Sequence, residues 1–586
     1  SKIISSVRGT DSRIILITTT LQVPILLTAL IMTNFDDILM QTGKFGWFQI
    51  RTYLVICIMS LVAAMMAFVQ VFIAGTNDHW CKVAQWEEEG CSQWNMTEVE
   101  CSELKRSLSQ PEFDTDDKRD SRCLTYNFTG IDIETAYANR DDLMDLEIIK
   151  CDDGWNFDTS LFPSTITEDW ELVCDKAFIP NVLQSVYLGG FLLGCIIYGV
   201  MADKFGRYYT FLISNVSAGV FGLLCTLSSN YIIFGLLRFL VGASAYGTIL
   251  VGFVLGTELV VPEMRVYVGV ALWYFFATGY FVLSGVARYL ANWRAILAVF
   301  ALPYLICLPS FLMITESPRW LLTKNRYHDA ERIIYKIAQV NGKPKPQNIL
   351  SQLTEAKEEN NVKQASLLDV IRCPTLLFYL INLWFNWFVQ SFLYYGLSLG
   401  TSDLGVNAYV AFCISGAVEI PAYVSSIYSM RRFGRKLSTA VLMIMAGTSC
   451  FLTILTPNGP ARVTVAMVGK FAISASFANV YVLTAEIFPT PLRALSIGAC
   501  SVAARIGGIV APLTLVLDRV WEPLPLVLFA TSSVLAGVLV FLLPETKGKA
   551  MPDTIEDSLN LRNSSYKEVA NNEDNNENGS SKPTDI

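Results

Sequence analysis

The chain has 586 residues, of which 52% are hydrophobic and 16% charged, with a mean hydropathy of +0.41. Soluble chains carry about a quarter charged residues, so these values exclude an ordinary soluble protein. The formal net charge of −8 is uneven: acid gathers in one loop and the C-terminal tail, and no basic patch is large enough for nucleic acid.

At the N-terminus, Ile14–Met32 is apolar and contains Pro24 and three successive threonines. It fits none of the repeats below and reads as a leader or an extra span at the start of a cytoplasmic segment, 1–52. Twelve further apolar segments follow. Those of the first half lie near Tyr53–Ala74, Asn181–Met201, Thr210–Leu227, Tyr231–Gly256, Val268–Leu290 and Arg294–Met313. Those of the second lie near Thr375–Leu399, Ala408–Tyr428, Ser438–Thr456, Val463–Leu483, Ala494–Leu517 and Pro523–Leu543. Each is long enough to cross about 30 Å of hydrocarbon as a helix. Helix is the expected form, because lipid cannot satisfy an open strand's backbone groups. The predicted fold is an all-α membrane protein of twelve helices, six in 53–313 and six in 375–543.

Lysine and arginine in short loops set the orientation. Lys204 and Arg207 follow span two, Arg265 follows span four, and Arg319, Lys324, Arg326, Arg332 and Lys336 follow span six. Arg431, Arg432, Arg435 and Lys436 follow span eight, and Arg493 follows span ten. The exits of even-numbered spans are therefore cytoplasmic, and the acidic loop at 75–178 is extracellular. That loop holds Cys81, Cys91, Cys101, Cys123, Cys151 and Cys174, and two glycosylation sequons at Asn95 and Asn127. An even cysteine count on an oxidising side predicts a disulfide framework, with pairings that spacing leaves open.

The linker, 314–374, is mixed in charge, and Ile333, Ile334, Ile337 and Val340 repeat at helical spacing. The tail, 544–586, is rich in Asn, Glu and Asp beyond Lys547 and is predicted to be disordered. It ends Thr584-Asp585-Ile586, a hydroxyl two residues before an apolar terminus. That pattern suits capture by a PDZ domain.

The halves repeat each other. Asp203-Lys-Phe-Gly-Arg207 after span two corresponds to Arg431-Arg-Phe-Gly-Arg435 after span eight. From Gly206 to Glu258, and from Gly434 to Glu486, is 52 residues. Glu258 and Arg265 then match Glu486 and Arg493, each pair seven apart, all at one offset of 228. Two parallel six-helix repeats place a site between them near mid-membrane. The charges Asp203, Arg207, Glu258, Arg265, Arg435, Glu486 and Arg493 read as a cytoplasmic gate that locks one face and opens when the halves rock.

At these motifs the chain resembles the major facilitator superfamily, whose members, sugar porters included, share the Asp203–Arg207 turn and Glu316-Ser-Pro-Arg-Trp-Leu321. More specifically it resembles the organic ion transporter family of organic cation, organic anion and carnitine carriers. The residues that carry this resemblance are Asp169-Trp-Glu-Leu-Val-Cys174-Asp175, Tyr394-Tyr-Gly-Leu397, Glu419-Ile-Pro-Ala-Tyr423 and Leu543-Pro-Glu-Thr-Lys-Gly548. Phe35-Asp-Asp-Ile-Leu39 resembles the family's cytoplasmic N-terminal segment. The resemblance implies a plasma-membrane carrier of small organic ions. Where typical cation carriers have an acid before the Ile-Gly-Gly of span eleven, this chain has Arg505; Glu419–Tyr423 looks most like the carnitine and organic cation branch.

Glu419, Lys470, Arg505 and Arg238 lie within apolar spans. A charge there costs at least about 2.5–3.5 kcal/mol, so each must face protein or a wet cavity. Arg505, Lys470 and Glu419 are the candidate substrate groups, with Trp387, Tyr394, Tyr395, Phe276 and Phe477 as aromatic lining for an ammonium by cation–π contact. Arg238 reads as structural. The two histidines, His79 and His328, fall outside the spans, and no metal-ligand cluster, triad or phosphate loop is apparent. No cofactor and no enzymatic chemistry are expected. The competing readings are an organic anion or sugar porter of the same fold, and a membrane receptor that transports nothing.

Overall fold

The computed structural model describes residues 32–86, 96–111, 122–346, 367–403 and 405–562. The apolar stretch before Met32, Cys91, Asn95 of the first sequon and the C-terminal Thr-Asp-Ile lie outside these residues.

Among the described residues, eleven helices are long and apolar enough to cross a membrane, from Trp47–Ile73 to Thr490–Arg519, and a shorter twelfth runs over Leu524–Val540. Asparagine starts several of them: Asn230 and Asn407 accept from the first backbone N–H groups of spans four and eight, and Asn292 from that of span six. Such caps satisfy donors that have no partner in the first turn. Proline, which has no N–H to lose there, opens spans five, seven and ten.

Spans two and four pack tightly, and spans seven and eleven likewise. A Cβ at Gly190 would strike the backbone of Phe239 and Ala243, so the close approach depends on glycine there. The halves meet along spans two and eleven and along spans five and eight.

The two faces of the bundle differ. On the loop face, the segment between spans one and two forms a small cap. Strand β1 (His79–Cys81) pairs antiparallel with β4 (Trp155–Phe157), and β2 (Leu124–Tyr126) with β3 (Ile148–Lys150). A separate core of Trp86, Leu108, Tyr126, Phe128 and Ile133 fills it. Cys81 is bonded to Cys151 and Cys123 to Cys174, and Cys101 is also disulfide-bonded.

On the linker face, helix Met32–Gln41 buries Phe35, Ile38 and Leu39, and helix Tyr327–Val340 buries Ile334 and Ile337. Asn341 joins the two, donating to the Thr42 carbonyl and accepting from the Phe48 N–H.

The tail departs from its predicted disorder. Residues past Lys547 run to a helix, Ile555–Asn560, in which Thr554 and Asp557 form a capping box. Its Ser558 hydroxyl donates to the Ile487 carbonyl, Ile555 and Leu559 pack on the second half, and Leu561 is buried. Composition averaged over the tail hid this short apolar face.

Candidate functional site

The charges within the second half converge. Glu419 on span eight and Lys470 on span ten form an ion pair, Oε1 to Nζ 2.8 Å, with side chains 0% and 1% exposed. The Lys470 ammonium also donates to the Ser398 hydroxyl and sits 3.5 Å from the centre of the Tyr394 ring. Tyr423, one turn beyond Glu419, donates to Glu419 Oε2 at 3.1 Å. Between Glu419 and Tyr423 lies Pro421, inside the helix, where the missing N–H loosens the backbone ladder. Tyr280 of span five meets Tyr394 hydroxyl to hydroxyl at 3.1 Å and carries the network into the first half.

Arg505 lies beside this network rather than in it. Its guanidinium stands 4.3 Å from the ring centre of Tyr246 on span four and donates to that hydroxyl, which joins the halves a second time. Its Nε has no hydrogen-bond partner, and the side chain is half-buried. Tyr394 and Tyr395 are adjacent in sequence with rings 5.4 Å apart, edge to face. Tyr394 covers Lys470, and Tyr395 neighbours Arg505. The arrangement offers a buried carboxylate, two cations and a set of tyrosines within one region between the halves.

The aromatic candidates divide. Phe276 packs against Phe68 and Trp273 near the interface. Phe477 touches Tyr394, Trp387 and Tyr481. Trp387 is fully buried, its indole N–H donating to Thr484 of span ten at 3.0 Å, so it binds two helices of one half together. Sequence reasoning missed Tyr280, Tyr246 and Ser398. Tyr280 had a signal, since it falls one turn from Phe276; Tyr246 had none, because its partner lies in the other half.

On the linker face, the ion pairs repeat as the motifs do. Arg207 reaches Asp203 and Glu258, each at 3.2 Å, and Arg435 reaches Glu486 at 3.0 Å. Glu316 accepts from the backbone N–H groups of Arg207 and Tyr208, and Glu545 from those of Arg435 and Lys436. Each carboxylate thereby caps the helix that follows the turn. Gly206 and Gly434 both have positive φ, and a Cβ at either would collide with the capping carboxylate. This explains the glycine of both turns. Burial raises the pKa of Glu316.

These pairs hold each half together internally. Arg265 pairs with Asp36 of the N-terminal helix, not with Glu258, and Asp36 also binds Arg319. Arg319 is pushed down to about 10 by burial and by Arg265 beside it. Arg493 donates to the Ala485 carbonyl rather than to Glu486.

On the loop face, contacts cross between the halves. Phe72 stacks on Tyr409 at 5.0 Å, Ser284 donates to the Tyr409 carbonyl, Ser185 to the Ile509 carbonyl, and Arg519 to the Cys174 carbonyl at 3.0 Å. Trp273 and Tyr274 also meet Tyr423 across the halves, about 16 Å along span five from its linker-face end at 1.5 Å per residue. Among the described residues, His79, Cys123 and Cys174 bring ligand atoms within 4.8 Å of one another, but both sulfurs are in the disulfide.

Comparison with known proteins gives concordant results. The model of the family described as "Sugar (and other) transporter" matches residues 167–555. The organic cation transporter protein of Drosophila melanogaster is 35% identical over 538 residues, covering 90% of this chain and 95% of that one. Solute carrier family 22 member 3 of Mus musculus is 33% identical over 554 residues, covering 91% and 97%. Among solved structures, the inward-open xylose transporter XylE from E. coli is similar with a TM-score of 0.55 at 15% identity, over 85% of this chain and 98% of that one. At that identity the likeness concerns the fold.

Proposed function

The chain belongs to the sugar (and other) transporter family, in its organic cation transporter branch, and from that membership we propose that it is a secondary carrier of small organic cations or zwitterions, carnitine-like ones included. Transport proceeds by alternating access of the two halves around the region of Glu419, Lys470, Arg505, Tyr394 and Tyr395. The observation that supports this reading is the buried Glu419–Lys470 pair beneath Tyr394, with Arg505 a tyrosine away. A substrate ammonium is attracted by the carboxylate and by tyrosine faces, and a substrate carboxylate by the free edge of Arg505.

The basic exits of the even-numbered spans support a cell-surface orientation with the linker face cytoplasmic and the cap outside. In that orientation the loop-face contacts close the outer entrance. Each linker-face ion cluster lies within one half, which suits two halves that move as rigid bodies. Asn127 is then positioned for glycosylation, and the C-terminal Thr-Asp-Ile for a cytoplasmic PDZ partner.

The test of the substrate class is uptake by cells expressing the chain. Three radiolabelled compounds are compared: a quaternary ammonium ion, carnitine and an organic anion. Saturable uptake of either of the first two supports the reading; uptake of the anion alone, or of a sugar alone, replaces it. For the tail, a C-terminal peptide is titrated against PDZ domains beside an Ile586→Ala peptide. Equal binding of the two removes that partner.

A further inference from the structure

The two repeated turns on the linker face share their backbone and differ in charge. The first carries Asp203, Lys204, Arg207 and Tyr208; the second carries Arg431, Arg432, Arg435 and Lys436. Beyond the last span of each half, Pro318 stands two residues after the capping Glu316, and Lys547 two after the capping Glu545. At three positions the second turn therefore has a base where the first has none: Arg431 for an acid, Lys436 for a tyrosine and Lys547 for a proline.

The protein itself does not neutralise this surplus. In the first turn Arg207 is buried against Asp203 and Glu258. In the second, Arg435 takes Glu486. Among the described residues, Arg431, Arg432, Lys436 and Lys547 form no ion pair with an acid. Glu545, the acid built into this turn, is occupied by backbone: it accepts from the N–H groups of Arg435, Lys436, Thr546 and Lys547. Arg431 and Arg432 are exposed, and the Lys547 ammonium donates to the Arg432 carbonyl at 2.9 Å, which gathers the bases at one place.

Span eight, Ala408–Phe433, shows which way the arginines point. Val410 and Ile414 are exposed near its loop-face end, where Phe72 and Tyr409 close the halves on each other, so this side of the helix faces lipid. Tyr428 follows Val410, and Arg432 follows Ile414, by eighteen residues. That is about five turns at 3.6 residues per turn, so each pair shares a direction. Arg431 follows the exposed Val424 by seven residues, about two turns. An exposed apolar stripe thus runs down the lipid side of span eight and ends in two arginines. Beside it, at the start of span nine, Arg435–Leu455, the side chains of Leu437 and Val441 are exposed one turn apart.

We propose that Arg431, Arg432, Lys436 and Lys547 bind the headgroup of an anionic phospholipid, phosphatidylserine in the test below, in the leaflet at the linker face. The guanidinium and ammonium groups meet the headgroup phosphate and carboxylate, and the acyl chains lie along Val424, Tyr428 and Leu437. The lipid brings to the second turn the negative charge that Asp203 brings to the first. Clusters of bases beside a span attract anionic lipid in this way, and such lipid is concentrated in the cytoplasmic leaflet, where the orientation proposed above puts this face. The site belongs to the second half alone and is separate from the region of Glu419 and Arg505.

The test is native mass spectrometry of the purified full chain released from nanodiscs of equal phosphatidylserine and phosphatidylcholine. The wild type should retain phosphatidylserine over phosphatidylcholine. In Arg431→Gln/Arg432→Gln the retained phosphatidylserine should fall about fivefold for each arginine removed, with phosphatidylcholine unchanged. Lys204→Gln, at the position of Arg432 in the first turn, should behave as the wild type. Glycerophosphoserine and inorganic phosphate, in excess, should not displace the lipid; displacement by either would make this a site for a free anion and overturn the lipid assignment. Should the double variant not fold, a phosphatidylserine with a diazirine in its acyl chain is crosslinked to the wild type. Label on the peptide 424–441 supports the site, and its absence there overturns the proposal. Equal retention of the two lipids by the wild type overturns it too, as does unchanged retention in the double variant or an equal loss in Lys204→Gln.

Discussion

Lys470 holds Glu419 at 2.8 Å in a pair that exposes at most 1% of either side chain. Removing one partner of such a pair strands a buried charge and costs about 3–5 kcal/mol, whereas replacing both with apolar groups is often near neutral. Glu419→Gln and Lys470→Met should therefore each lower thermal stability and surface expression more than the double variant does. Additive losses in the double variant would show that the two charges do not depend on each other.

Arg505 should set charge preference. Charge-assisted hydrogen bonds contribute about 1.5–3 kcal/mol, so Arg505→Asp should weaken uptake of a carboxylate-bearing substrate by roughly ten- to a hundredfold, at about 1.4 kcal/mol per factor of ten. A simple quaternary cation should lose little or gain. Equal loss of both at normal surface expression would contradict this role.

The two linker-face clusters should differ in their tolerance of change. Arg207 is 2% exposed and binds two acids, while Arg435 is 26% exposed and binds Glu486, its second acid being replaced by Arg431. Glu258→Gln should destabilise by about 3 kcal/mol and Glu486→Gln by about 1 kcal/mol. Thermal unfolding of the two variants measures the difference, and equal losses would deny that burial governs it.

The cap should weaken in acid. Burial lowers the pKa of His79, whose imidazole packs near Cys174 with Asp78 and Arg122 nearby. The unfolded chain then takes up the proton first. This stability is present above the ordinary value of about 6.5 and is lost as the pH falls from there toward the folded value. Hydrogen exchange of β1 and β4 should quicken between pH 7.5 and pH 5.5, and His79→Asn should remove the difference. An unchanged pH response in that variant would assign the effect to another group.

Much of the fold was legible because lipid imposes long apolar runs and because the repeat announces itself at one offset. The turn glycines could be recognised by sequence alone, but their reason, the capping carboxylates of Glu316 and Glu545, could not, since each lies more than a hundred residues from the turn it caps. Lys470 and Glu419 were visible as costly charges. Their mutual pairing was not, because hydropathy gives depth in the membrane and not the direction in which a helix face points. The same limit hid the partner of the Trp387 indole, Thr484, which required the packing of spans seven and ten. The docked tail helix was masked by its acidic neighbours.

The most direct test of the central claim is uptake of a radiolabelled quaternary ammonium ion into proteoliposomes containing the purified chain. Wild type and Glu419→Gln are compared at equal protein incorporation. The account predicts saturable uptake by the wild type, reduced about tenfold or more in Glu419→Gln, as the loss of a charged hydrogen-bonding partner implies. Saturable uptake of equal rate and apparent affinity in both proteins, or none in the wild type, would contradict it.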